Sequence, residues 1–150
     1  MGAVRHGDYI AKVRVIPTEQ TKNAITEKDI DLDSAEWPYR KGIIKEIAQK
    51  NLTFELQIQL CKNLKEMPVN DLTKEWSQEL SPFRTVAKIT IPKQTVPEDG
   101  NFEIMENLSF TPFRTIEENS PIGNLQRSRQ SAYVTSSTSR HELNHKKRKE

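Results

Sequence analysis

The most regular hydrophobic pattern in the chain runs from Leu52 to Leu60. Leu52, Phe54, Leu56, Ile58 and Leu60 alternate with Thr53, Glu55, Gln57 and Gln59. A period of two predicts a strand with one face in the core and the other in water. Two further stretches alternate. In DYIAKVRVI, residues 8–16, Tyr9, Ala11, Val13 and Val15 share one face, and Ile10, Lys12, Arg14 and Ile16 share the other. Residues 84–91, RTVAKITI, repeat the period. Both runs stop at a proline, Pro17 and Pro92, which has no N–H to donate to a ladder. Residues 38–50 read as a helix. Asp33 or Ser34 can cap it, Pro38 suits its first turn, and Ile43, Ile44 and Ile47 make one stripe. Gly42 within it costs about 1 kcal/mol. Residues 121–141 read as a second helix, with Ser120 as its cap and Pro121 at its first position.

The remaining stretches predict little regular structure. Residues 1–7 carry no fold signal, and 18–33 read as a polar loop. Residues 61–81 read as a long irregular connection, with Trp76 and Phe83 as packing residues. Residues 102–110 are expected to be a short strand or an extended segment. The tail, 142–150, is basic and is expected to be disordered. Strands that alternate without βαβ regularity predict an α+β fold with a largely antiparallel sheet.

Candidate chemistry concentrates on the second helix. At about 100° per residue, Arg129 and Tyr133 lie one turn apart on one face, and Arg140 returns to that stripe about two turns on. A phenol therefore sits between two guanidinium groups. A fixed cation favours the anionic form of a neighbouring phenol, and a bound metal favours it further. A phenolate is a hard ligand suited to ferric iron, and the second cation can hold a carboxylate. By spacing alone, the same pair is also an ordinary structural contact on a helix. Cys61 and Met67 have no metal-ligating partner at suitable spacing. His141 and His145 stand at i and i+4 with no acidic or cysteine partner placed beside them, and His6 stands alone.

The stretch ENLSFTPFRTIEENSPIGNLQRSRQSAYVTSSTSRHEL resembles the proximal-ligand segment of haem catalases, and more closely that of the smaller catalase-like peroxidase branch. In that family R-x-x-x-Y supplies the axial tyrosinate. The resemblance implies haem b as cofactor and Tyr133 as the iron ligand. It implies that Arg129 holds Tyr133 as phenolate and that Arg140 meets a haem propionate. Phe110 and Phe113, in NLSFTPF, would line the apolar edge of the cofactor, or else pack under a loop. GDYIAKVRVIP and VAKITIP resemble barrel strands of the family, and PVNDLTKEW with ELSPF resembles its wrapping segment. Arg14 falls near the place where larger catalases have a histidine, and is read as outward and solvated.

The likeness spans Gly7 to Leu143. It implies the second half of a catalase-type antiparallel β-barrel followed by the proximal haem helix. The distal histidine of the family lies in an N-terminal half that this chain does not contain, so no catalytic residue is assigned. The expectation is a partial gene product with low activity on its own. Its partners would be haem, a peroxide substrate (hydrogen peroxide or an organic hydroperoxide), and the N-terminal half or further copies of the chain. The alternative is a non-catalytic, degenerate catalase-like fragment serving as a haem-binding or interaction module.

Composition bounds these readings. The chain has 150 residues, enough for one domain, but only 34% are apolar, a low share for an autonomous core. The net charge of +2 implies no nucleic-acid partner. One cysteine excludes an internal disulfide and fits a reducing compartment. No apolar run approaches the roughly eighteen residues of a membrane span. A soluble, cytoplasmic protein is the expectation.

Overall fold

A strand of four residues opens the chain. In the computed structural model, which describes residues 2–25, 38–96 and 107–147 (side chains as far as His145), β1 is Ala3–His6 and β2 is Tyr9–Pro17. They pair antiparallel, with Ala3 opposite Lys12 and His6 opposite Tyr9. Gly7 and Asp8 form the loop, and Gly7 has φ +60°, a value that an L side chain rarely adopts. The Gly-Asp dipeptide is the local signal for this hairpin, although residues 1–7 show no apolar pattern.

Helix α1, Glu19–Ala24, occupies the start of the expected loop at 18–33. Thr18 caps it by accepting a hydrogen bond from the Thr21 N–H at 3.2 Å. Six residues carry too little apolar stripe to show as a helix in the sequence. Helix α2 is Pro38–Gln49, β3 is Leu52–Leu60 and β4 is Arg84–Ile91. A 3₁₀ turn at Glu117–Asn119 leads into the two-residue strand β5, Pro121–Ile122, and then into α3, Asn124–Lys147.

The strands form one sheet in the order β4-β3-β2-β1-β5. The architecture is α+β with an open antiparallel sheet. The expected catalase-type barrel is therefore corrected: the sheet does not close. Closure needs two edge strands that can pair with each other, together with a matched tilt and stagger. Here one edge is β5, only two residues long, and β4 lies at the opposite edge. Seven of the eight residues of β4 are exposed.

By its internal packing the chain divides into two units. The first comprises Met1–Val13, Ile58–Arg84 and Phe102–Glu150; the second comprises Arg14–Gln57 and Thr85–Asn101. The core of the first unit is small: Ala3, Met67 and Trp76 are buried, with Ile10, Cys61 and Val69 packed on them. The Trp76 indole N–H donates to the Pro68 carbonyl at 3.0 Å, so its polar edge is satisfied.

Several expectations about faces change. The polar face of β3 is not wet: Thr53, Gln57 and Gln59 are buried along with Leu52 and Ile58. Gln59 is 2% exposed, and its amide donates to the carbonyls of Trp76, Ser77 and Ser81 at 3.0, 3.3 and 2.9 Å. Arg14 is half-buried rather than outward, and its Nε donates to Gln57 Oε1 at 2.8 Å. On α2 the isoleucine stripe is only partly buried: Ile44 and Ile47 are half-buried, Ile43 is 57% exposed, and the fully buried residue is Glu46. Glu46 is paired with Lys50 at 2.8 Å, and Lys50 also donates to the Ala24 carbonyl. The ion pair one turn along offsets part of the cost of burying that carboxylate.

The second long helix starts later than predicted. Pro121 belongs to β5, not to a first helical turn, and Gly123 with φ +93° makes the break. The helix then continues to Lys147, so the tail is helical for six residues beyond His141. The proposed caps of α2 at residues 33 and 34, and most of the expected segment at 102–110, lie outside the described residues.

Candidate functional site

The start of α3 is set by a partner distant in sequence. Asn70 Oδ1 accepts a hydrogen bond from the Asn124 N–H at 2.8 Å, satisfying one of the free donors of the first turn. A Cβ at Gly123 would meet the Val69 side chain at 2.7 Å, so glycine also permits close approach here. One turn later Gln126 is 3% exposed. Its Nε2 donates to the Ala3 carbonyl at 3.2 Å. These contacts fix the rotation of α3, and so decide which stripe faces outward.

Arg129 and Tyr133 meet as their spacing implies. Arg129 Nη2 donates to Tyr133 Oη at 2.6 Å, and its guanidinium carbon lies 5.2 Å from the ring centroid. The distance is that of a charge-assisted bond. Arg129 Nη1 donates to Gln126 Oε1 at 2.9 Å. A chain of contacts therefore runs from the Ala3 carbonyl through Gln126 and Arg129 to the phenol oxygen. The sequence reading did not single out Gln126. Its i, i+3 spacing to Arg129 was the available signal, since residues three apart share a helix face.

Tyr133 opens onto a groove of about 290 Å³, lined by Phe110, Ala132, Tyr133, Ser136 and Arg140. Three of the five residues predicted to hold a cofactor, Tyr133, Arg140 and Phe110, thus share one groove. Arg129 stands behind it through its bond to Tyr133. Phe113 is not among the lining residues. Phe110 is 66% exposed. Ala132 and Ser136 are small, so a flat ligand can approach the helix between the phenol and Arg140. The volume is at the lower edge of the roughly 300–1,000 Å³ usual for small-molecule sites. The walls come from α3 and Phe110, and the groove is open to solvent.

The segment carrying Phe110 is held to α3 by side chains. Arg140 Nη2 donates to the Leu108 carbonyl at 3.1 Å, and His141 Nε2 lies 2.9 Å from the Asn107 carbonyl. Arg114 donates to Ser109 O at 2.8 Å and Oγ at 2.9 Å.

The chain matches no protein-family model and no curated protein sequence. The site therefore rests on its own geometry. Among the described residues, no group of three or more His, Cys, Asp or Glu stands at metal-binding range. A single phenol oxygen with a macrocycle supplying the other donors needs no such cluster. The described residues contain no helix long and apolar enough to cross a membrane.

Proposed function

We propose that this chain binds haem b in the α3 groove as a catalase-like protein, with Tyr133 ligating ferric iron. The observation that supports it is the 2.6 Å bond from Arg129 to the oxygen of Tyr133, a residue that lines one groove with Arg140 and Phe110. The Arg129 guanidinium holds the phenol oxygen in place through this bond. Arg140 offers its guanidinium to a propionate, and Phe110 covers an apolar edge. When bound, haem supplies ferric iron able to react with a peroxide.

Efficient peroxide decomposition needs a base on the open side of the iron to move a proton between the two oxygens. The described lining of the groove contains no imidazole or carboxylate. The chain then acts as a haem-binding module with slow turnover of hydrogen peroxide or an organic hydroperoxide. A cytoplasmic setting suits a chain with a single cysteine.

The test is a ferric haem titration followed by absorption. The wild type and Tyr9→Phe, whose phenol is 62% exposed, should show a high-spin ferric tyrosinate spectrum. Tyr133→Phe should lose it. No such spectrum in the wild type, or its survival in Tyr133→Phe, overturns the reading. Rapid oxygen release from hydrogen peroxide would overturn the slow-turnover part.

A further inference from the structure

Residues 107–110 form no helix or strand. Three consecutive carbonyls of this segment are nonetheless each held by a nitrogen-bearing side chain. His141 meets the Asn107 oxygen, Arg140 the Leu108 oxygen and Arg114 the Ser109 oxygen. Asn144 adds a longer contact, from Nδ2 to Asn107 Oδ1 at 3.4 Å. The next residue is Phe110, the one groove wall that does not belong to α3. These contacts to the strap come from side chains, so each can be removed singly.

We infer that His141 is a positioning residue of the groove: it fixes the strap, and through the strap it sets Phe110 over the ligand face. A carbonyl oxygen only accepts, so Nε2 of His141 carries the proton in this bond. The imidazole thus acts as a donor to backbone, and it is not among the residues lining the groove. Arg140 is different in kind, because it both lines the groove and holds the strap. Replacing Arg140 would mix the two effects; replacing His141 separates them.

The inference rests on the haem reading for its ligand, but the strap itself is tested without one. In the ligand-free protein, NMR order parameters of the Leu108, Ser109 and Phe110 amides should fall in His141→Ala. They should recover in His141→Gln, whose amide N–H can reach the same carbonyl. With ferric haem, His141→Ala should weaken binding by about fivefold, the worth of one partly buried hydrogen bond. Its absorption maxima should stay those of the wild type. In a Phe110→Ala background the same change should cost nothing further, because the wall it positions is gone. Unchanged order parameters in His141→Ala overturn the strap. So does an equal loss of affinity with and without Phe110. A shift of the absorption maxima would make His141 a ligand instead and overturn its positioning role. If the wild type shows no tyrosinate spectrum, the haem reading fails, while the order parameters still decide the strap.

Discussion

Gln126 offers the sharpest separation of stability from site geometry. Its amide bridges two environments: Nε2 faces the carbonyl of Ala3, which is 1% exposed, and Oε1 faces the half-buried Arg129. Gln126→Leu removes both bonds with little change in volume. Water can replace the one to Arg129 but not readily the one to Ala3. The stability cost is therefore mainly the Ala3 half, about 1–3 kcal/mol for a buried group losing its partner. At roughly 2–4 °C per kcal/mol for a chain of this size, the melting temperature should fall by about 2–12 °C. Gln126→Glu behaves differently. It loses the donor to Ala3 and sets a carboxylate against a carbonyl, so it destabilises at least as much. It keeps an acceptor for Arg129, now a carboxylate that can form an ion pair with the guanidinium. Thermal unfolding by circular dichroism and haem titration below both transitions read the two effects. Leu should weaken haem binding about fivefold, the worth of the lost Arg129 anchor, and Glu should not. Equal loss of affinity in both variants would show that Gln126 acts through general stability alone. No fall in melting temperature would refute the burial argument itself.

Two further outcomes follow from the sheet. Gln59→Leu deprives the Trp76 and Ser81 carbonyls of buried donors, and should cost about 2–4 kcal/mol, read as a lower urea midpoint at unchanged slope. The second concerns pH. Hydrogen bonds from Thr85 Oγ1 and Gln57 Nε2 hold the Glu55 carboxyl below its ordinary value of 4.5. The unfolded chain then binds the proton more readily, so the contribution is present above pH 4.5 and is lost as pH falls through the depressed folded value. Unfolding midpoints measured from pH 6 to pH 3 should converge for wild type and Glu55→Gln at the acid end. Parallel curves would rule out this linkage.

Much of the regular structure was visible in the order of residues, and the exceptions have identifiable causes. Strand β3 shows because its period is uninterrupted for nine residues. The dry state of its polar face does not show, because the carbonyls that satisfy Gln59 lie 17 to 22 residues away. Helix α1 is too short to carry a stripe, and its evidence is a single threonine cap. Pro121 is equally at home at a helix start and in an edge strand, so the start of α3 is ambiguous until Gly123 is seen at positive φ. Arg129, Tyr133 and Arg140 were legible because one helix carries all three, and helical spacing is fixed by geometry. Gln126 was not, because its other partner, Ala3, is 123 residues distant. The open sheet contradicts the closed barrel because a likeness between strands does not specify which edges meet.

The exposed rim formed by β4 has a bearing on handling. Its sequence, RTVAKITI, places Val86 and Ile89, 48% and 38% accessible, on either side of Lys88. That ammonium is the one charge in the interior of β4, Arg84 standing at its first residue, and it discourages strand-to-strand adhesion when samples are concentrated. Lysine-directed labelling or acetylation would remove this guard, so chemistry aimed at amines is a poor choice for immobilising the protein.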